Sequence, residues 1–243
     1  MKHAARREFE RWAASYDRSI LQRFVFEPSY RALFEELVLW HRGDDRVGVE
    51  VDHEGGDAGR DARLTGRGSG GGRDDRPFSL LDVGSGTGTW LARVASTPLP
   101  LRRGVGLDYS EGMCRQASEK AAGCDHGLVN FVHGDSEHLP FSDAAFDVVT
   151  CSNSFHHYPH QESVVTEFRR VLRPGGRLII IDGFRDNLIG WVVFDVLVAR
   201  AEGAVHHVPW SRMRRMCLDA GFWSVRQRKI NVWIPLLVTV AMT

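Results

Sequence analysis

Short apolar runs, each followed by a turn and a helical pattern, dominate the chain from residue 78 onward. The run Phe78–Val83 predicts a buried strand that leads into the turn Gly84–Gly88 and then into a helix. Further apolar runs at Gly104–Asp108, Phe146–Asn153 and Leu178–Asp182 predict more buried strands. Strands that alternate with helices are typical of a Rossmann-like, doubly wound α/β fold with a mostly parallel sheet.

Both ends of the chain carry additional patterns. Glu8–Tyr16 and Pro28–Trp40 predict N-terminal helices, the second opening with proline, which suits a first helical turn. Near the other end, the pattern predicts a helix at Ser211–Ala220 and two strands at Val225–Lys229 and Val232–Val240.

One predicted helix in the middle of the chain has clear end signals. Its amphipathic pattern ends at Arg173, where Pro174-Gly175-Gly176 predicts a turn before the next strand. These residues are expected to have an architectural role.

The stretch from Arg42 to Arg76 has a different composition, dense in glycine, aspartate and arginine. It has too little apolar surface to offset the entropy of ordering, so we expect a disordered insertion. The predicted organisation is therefore N-terminal helices at 1–41, the insertion at 42–77 and an α/β domain at 78–243. Within that domain, residues 185–208 form an added apolar helix that either covers a hydrophobic substrate or packs on the sheet as core.

The glycine-rich turn after the first strand indicates a ligand site. Glycine lacks a Cβ and tolerates positive φ, so a ligand can approach the backbone, and the following helix presents free N–H groups. A dinucleotide site requires G-x-G-x-x-G, but its last position here is Thr89. The observed G-x-G-x-G, preceded by Asp82, predicts a nucleoside-type cofactor of another kind.

Asp108 ends the second predicted strand, 24 positions after Gly84. An acid at roughly this offset, about 20 residues, binds ribose hydroxyls in doubly wound folds. Alternatively, Asp108 caps the next helix, although Ser110 can take that position instead.

Several ordered motifs between Leu80 and Asp182 resemble one protein family. They are the Asp82–Gly88 turn, Gly134-Asp135, Leu139-Pro140-Phe141 and Phe146-Asp147-Val148-Val149. Together they resemble the UbiE-type branch of class I S-adenosylmethionine-dependent methyltransferases, the relatives of ubiquinone and menaquinone C-methyltransferases. The resemblance implies a seven-stranded sheet with an antiparallel last strand, N-terminal helices that close over the cofactor, and S-adenosylmethionine as that cofactor.

The resemblance also implies which residues contact the cofactor. Met113 is expected near the adenine, Asp135 to accept from the adenine amino group, and Ser136 to donate its backbone N–H. Asp135 capping a turn is the alternative. The full set of implied contacts is Tyr16, Asp82, Gly84, Ser85, Gly86, Thr87, Gly88, Asp108, Tyr109, Met113, Asp135, Ser136, Ser152 and Asn153.

Catalysis of methyl transfer requires alignment of donor and acceptor, and a base if the acceptor is a phenol, enol or activated ring carbon. Tyr16 lies in a segment that resembles the family's W-x-x-x-Y-D motif, where it covers the methionine end or lines the acceptor pocket; otherwise it packs under a helix end. His157 follows the fourth strand and is the second candidate, although its role can also be structural. No metal ligands are predicted, because the histidines and cysteines lack metal-site spacing.

Composition narrows the function further. The chain has 243 residues with 31 basic and 31 acidic side chains, which gives no reason to expect a nucleic-acid groove. The four cysteines lack C-x-x-C spacing and are expected to be reduced core residues, Cys151 among them.

No signal-peptide pattern and no apolar stretch long enough for a bilayer is found, which predicts a cytoplasmic protein without stable membrane insertion. The oligomeric state is not indicated.

The sequence therefore predicts an enzyme that transfers a methyl group from S-adenosylmethionine to a small-molecule acceptor. The apolar 185–208 helix and the aromatic N terminus indicate a hydrophobic acceptor, such as a quinone-like ring or a lipid, methylated at carbon or oxygen. The alternatives are a nicotinamide-dependent dehydrogenase and a non-catalytic module that binds S-adenosylmethionine.

Overall fold

The computed structural model of the chain describes residues 25–43, 76–122, 127–183, 208–230 and 235–243. Three predicted features lie outside these residues: the helix at 8–16 with Tyr16, nearly all of the 42–77 insertion, and nearly all of the 185–208 helix.

The described residues form one seven-stranded sheet with the order β3-β2-β1-β4-β5-β7-β6. Strands β1 to β5 run parallel, and β7 is antiparallel to both β5 and β6. The predicted Rossmann-like α/β fold with an antiparallel last strand is thus confirmed. The strands are β1 (Phe78–Val83), β2 (Leu101–Asp108), β3 (Val129–His133), β4 (Phe146–Ser152), β5 (Leu172–Gly183), β6 (Ser224–Ile230) and β7 (Leu236–Met242).

Helices cover both faces of this sheet. In the described residues they are α1 (Glu27–His41), α2 (Thr89–Ala95), α3 (Glu111–Ala121), α4 (Gln161–Val171) and α5 (Trp210–Asp219). Helices α4 and α5 pack on one face, α1 and α2 on the other. All six residues of β1 are buried, as expected for a central parallel strand with helices on both faces of the sheet. No helix in the described part of the chain is long and apolar enough to cross a bilayer.

Two predicted boundaries differ from the structure. Helix α4 ends at Val171, two residues before the predicted Arg173, because Leu172 already pairs with Phe146 as the start of β5. The predicted turn at Pro174–Gly176 lies inside β5, where the register shifts and Thr243 Oγ1 accepts from the Gly176 N–H at 3.0 Å. The last strand spans Leu236–Met242, and the predicted start at Val232 lies outside the described residues.

A buried ion-pair cluster joins α1 to the edge strand β6. Glu36 is only 1% exposed, and its carboxylate accepts from Arg228 Nε at 3.1 Å and from Arg226 Nη2 at 2.5 Å. The Glu36 backbone carbonyl also accepts from Arg177 Nη1 at 3.2 Å. Because both β6 arginines share this one buried acid, losing its charge leaves two cations without their main partner.

We therefore expect Glu36→Gln to lower the free energy of unfolding by about 2–4 kcal/mol. Glu35→Gln is the matched control, because Glu35 is half exposed and pairs with Arg228, and the loss of its charge should cost less than about 1 kcal/mol. Urea denaturation of both variants measures the difference. Equal stability of the two variants would contradict the structural role assigned to Glu36.

Candidate functional site

A pocket opens at the carboxyl ends of β1, β2, β3 and β4, where the strand order of the sheet reverses. Ligands of open α/β sheets bind at this position. The empty space in the pocket measures about 860 Å³, a figure that includes its opening to solvent. It is lined by Gly84, Gly86, Leu107, Asp108, Tyr109, Ser110, Met113, Gly134, Asp135, Ser136, Ser152, Asn153, Ser154, His157, Tyr158 and Pro159.

The glycine turn forms one wall of the pocket. Gly84 has φ +72°, and a Cβ there would lie 2.3 Å from Ser154 Oγ. Gly88 has φ +74°, and its Cβ would meet the Phe131 ring at 2.4 Å. Glycine is therefore required at both positions by backbone conformation and by space.

Only part of the predicted turn faces the pocket. Gly84 and Gly86 line it, whereas Ser85, Thr87 and Gly88 do not. Thr87 is buried on the outer side of the turn, where Lys120 Nζ donates to its hydroxyl at 3.1 Å. Ser85, Thr87 and Gly88 therefore stabilise the turn through their contacts within the protein.

Asp108 connects the glycine turn to α3. Its Oδ2 accepts from the Gly86 N–H at 2.8 Å, and its Oδ1 accepts from the Ser110 N–H at 2.8 Å. The N-cap of α3 is Ser110, whose hydroxyl accepts from the Met113 N–H at 3.2 Å. Burial raises the pKa of the Asp108 carboxyl. A carboxylate has about four acceptor sites, so Asp108 can also accept from a ligand in the pocket.

Asp82 lies beneath the turn, outside the pocket wall. It is 4% exposed, and its Oδ1 accepts from the Thr150 hydroxyl at 2.7 Å. Burial raises the pKa of this carboxyl to about 7, against the lowering effect of the Thr150 hydrogen bond, and the charge of Asp108 raises it further. The two acids therefore make this end of β1 favourable for a cation.

Asp135, Ser136, Tyr109 and Met113 also border the pocket. Asp135 caps a turn, because its Oδ1 accepts from the Glu137 N–H at 3.0 Å. This is the alternative expected for Asp135, and it does not prevent a second contact in the pocket. Met113 is 2% exposed and adds an apolar surface to that side.

The segment after β4 forms the opposite wall. It is lined by three of the candidate site residues, Ser152, Asn153 and His157, and also by Ser154, Tyr158 and Pro159. Tyr158 Oη lies 3.2 Å from Ser154 Oγ, and burial holds the pKa of this phenol well above its usual value. Tyr158 therefore stays a neutral phenol at physiological pH.

Cys151 lies behind this wall and is fully buried. Burial raises the pKa of its thiol to about 12, which keeps it protonated and unreactive. The expected core role of this cysteine agrees with that environment.

A buried imidazole–carboxylate pair next to His157 was not predicted. His156 Nδ1 lies 2.6 Å from Asp182 Oδ1, and the His156 N–H donates to Asp182 Oδ2 at 2.7 Å. The His156 and His157 rings are 4.0 Å apart. In the sequence, Asp182 was recognisable only as the last residue of a predicted strand. The parallel pairing of β4 with β5 brings it next to His156.

The chemistry of the pocket fits S-adenosylmethionine better than a dinucleotide. Its described lining contains the carboxylates of Asp108 and Asp135 but no lysine or arginine. The two carboxylates attract a cationic ligand and repel an anionic pyrophosphate. Leu107 and Met113 supply apolar surface for a flat base.

Comparison with known proteins agrees with this geometry. Residues 81–180 match the family described as "Methyltransferase domain". A demethylmenaquinone methyltransferase of Staphylococcus aureus is 30% identical over 171 residues, which cover 62% of this chain and 70% of that protein. The chain belongs to the UbiE-type family of class I S-adenosylmethionine-dependent methyltransferases.

A demethylmenaquinone methyltransferase of Listeria monocytogenes is 38% identical over 119 residues, 49% of this chain and 50% of that protein. The chain thus spans about half the length of the Listeria relatives that it matches.

Solved protein structures share the fold of this UbiE-type chain. A possible histamine N-methyltransferase of Thermotoga maritima has a TM-score of 0.64 at 17% identity and covers 97% of this chain and 98% of its own. The YcgJ protein of Bacillus subtilis has a TM-score of 0.61 at 18% identity and covers 69% of this chain and 92% of its own. At these identities the likeness concerns the fold alone.

The steric requirement at Gly84 is testable with a matched glycine. Gly84→Ala should lower the free energy of unfolding by about 3 kcal/mol or more, because left-handed strain adds to the collision with Ser154. Gly43→Ala is the control: Gly43 has φ +70°, but no atom of the described residues lies within 4 Å of an added Cβ, so only about 1 kcal/mol of strain is expected. Thermal or urea unfolding measures both.

Adding Ser154→Gly to the Gly84→Ala variant removes the colliding side chain and should restore part of the lost stability. Additive losses in the double variant would argue against this contact as the cause.

Asp82 should impose a pH-dependent cost on folding. The folded state keeps its proton up to about pH 7, whereas the unfolded chain loses it near pH 4, so the folded state binds more protons between these values. Wild-type stability should therefore fall relative to Asp82→Asn as pH rises from about 4 to 7, by at most about 1.4 kcal/mol per pH unit. Urea denaturation across this range measures the difference.

Asp219→Asn serves as the control, because that side chain is 71% exposed. Its stability difference from the wild type should not change with pH in this window. If the difference in unfolding free energy between the wild type and Asp82→Asn is also independent of pH, Asp82 is ionised throughout this range.

Proposed function

We propose that this protein transfers a methyl group from S-adenosylmethionine to a hydrophobic small-molecule acceptor with a quinone-like aromatic ring. The observation that carries the proposal is the pocket lining at the carboxyl ends of β1 to β4, which among the described residues carries two carboxylates and neither arginine nor lysine. The acceptor class is supported by the names of the Staphylococcus and Listeria relatives, which are demethylmenaquinone methyltransferases.

In this proposal, the pocket residues divide between the parts of the cofactor. Asp108 accepts from the ribose hydroxyls, and Asp135 and Ser136 meet the adenine edge. Leu107 and Met113 enclose the base, and the Gly84–Gly86 backbone lies along the methionine end. When bound, the cofactor supplies an electrophilic methyl group on a sulfonium, so the main task of the protein is alignment.

His157 is the proposed base for an acceptor hydroxyl, because it is the imidazole that lines the described pocket wall. Tyr158 is unsuited to this role, since its raised pKa keeps the phenol protonated. Tyr16 retains its proposed role at the methionine end or in the acceptor pocket, and lies outside the described residues.

Cofactor binding is the first test. Asp108→Ala should weaken S-adenosylmethionine binding by about 100-fold or more, because it removes the ribose acceptor and releases the Gly86 and Ser110 N–H groups. Asp143→Ala is the control, since Asp143 is 79% exposed and pairs with Arg170 away from the pocket. Titration calorimetry measures both.

Turnover is the second part of the test. The wild type is incubated with S-adenosylmethionine and a reduced, short-chain 2-demethylnaphthoquinone, and S-adenosylhomocysteine and the methylated ring are quantified by mass spectrometry. His157→Ala should lower the rate at unchanged cofactor affinity.

The fold alone does not determine whether a protein catalyses methyl transfer. The [4+2]-cyclase SpnF has the same fold, with a TM-score of 0.59 at 19% identity. Tight cofactor binding without S-adenosylhomocysteine release from any aromatic acceptor would favour a non-catalytic binding module. Binding of NAD without S-adenosylmethionine would favour the dehydrogenase.

A further inference from the structure

Asn153 has an unusual backbone conformation at the end of β4. Its φ is +54°, and among the described non-glycine residues only Ala144 shares a positive φ. The Asn153 N–H donates to the Ile181 carbonyl at 2.8 Å, which ties the strained residue to β5. Strained residues of this kind cluster at ligand sites, and Asn153 lines the pocket.

The carboxamide of Asn153 is oriented by two serines. Its Nδ2 lies 3.0 Å from Ser29 Oγ and 3.0 Å from Ser152 Oγ. Ser29 is completely buried in the first turn of α1, and its hydroxyl donates to the Val25 carbonyl at 2.8 Å. Because a hydroxyl has one hydrogen, Ser29 Oγ is left as an acceptor for the Asn153 amide.

This network determines which atom of the Asn153 carboxamide is left to form a hydrogen bond with a ligand. Both Nδ2 hydrogens have serine acceptors, whereas Oδ1 lies 3.4 Å from a Ser29 hydroxyl whose hydrogen points to Val25. A flipped amide would place Oδ1 against the Ser29 lone pairs and lose that hydrogen bond. Oδ1 is therefore the atom of this side chain that can accept from a ligand donor in the pocket.

The strand order indicates which part of the cofactor reaches Asn153. Asp108 and Asp135 follow β2 and β3, whereas Asn153 follows β4, on the other side of β1. Three strand spacings, about 14 Å, separate β3 from β4. A ligand whose adenosine lies at β2 and β3 therefore extends its amino-acid tail across Gly84 towards Asn153.

From these contacts, we infer that Asn153 Oδ1 accepts a hydrogen bond from the α-ammonium group of S-adenosylmethionine, and that Ser29 of α1 is a positioning residue that orients it. The inference rests on the proposed function, since it assigns a donor of the proposed cofactor. It also gives the N-terminal helix a direct link to the methionine end of the site.

A pair of ligands tests the inference without any acceptor. S-adenosylhomocysteine carries the α-ammonium, whereas 5′-methylthioadenosine shares its adenosine and thioether but lacks the amino-acid tail. By titration calorimetry on the full chain, Ser29→Ala should bind S-adenosylhomocysteine about tenfold more weakly and 5′-methylthioadenosine within about twofold of the wild type.

Ser118→Ala is the matched control. Ser118 makes the same bond to a carbonyl four residues earlier, Cys114 at 2.8 Å, but lies in α3 and does not line the pocket. It should bind both ligands as the wild type does.

Asn153→Gly provides a second variant, since glycine tolerates the left-handed conformation while the carboxamide is lost with the rest of the side chain. It should show the same selective loss for S-adenosylhomocysteine, and it tests the inference even if Ser29→Ala fails to fold.

The other outcomes overturn the inference in distinguishable ways. If both variants weaken both ligands equally, Ser29 and Asn153 support the pocket as a whole. If neither variant weakens S-adenosylhomocysteine, the α-ammonium binds elsewhere. If the wild type binds neither ligand, the proposed function itself fails.

Discussion

The carboxylate of Asp108 is the constraint on which the rest of the site depends. One oxygen holds the Gly86 N–H of the glycine turn, and the other holds the Ser110 N–H at the start of α3. The turn, the helix and the end of β2 are therefore fixed relative to one another by one side chain. Their relative position determines where Gly84, Met113 and the wall after β4 meet.

Concentrating acids at this edge of the sheet has an energetic consequence. Burial raises the pKa of both Asp82 and Asp108, so the protein around them disfavours their ionised state. A cationic ligand relieves this penalty, because positive charge favours ionised carboxylates. The same acids that reduce the stability of the folded chain thus favour a sulfonium cofactor over a pyrophosphate.

Helix α1 contacts the domain through polar groups near both ends. Glu36 joins its C-terminal half to Arg226 and Arg228 of β6, and Ser29 joins its first turn to Asn153. Apolar packing of Leu33 and Leu37 on the sheet lies between these contacts. The helix therefore has a defined position along the sheet, which apolar packing alone specifies less strictly.

The sequence by itself determined the fold class and the central part of the pocket, because short-range patterns carry that information. Apolar runs and glycine turns follow from local backbone chemistry, and Gly84 and Asp108 occupy positions set by their place on a strand or turn. Boundaries such as Arg173 were missed because strand pairing with Phe146 replaces the last helical turn. Ser29–Asn153 and His156–Asp182 were decided by tertiary structure alone, since each pair joins residues distant along the chain. Only the packing of α1 on the sheet and the pairing of β4 with β5 bring those partners within hydrogen-bonding distance.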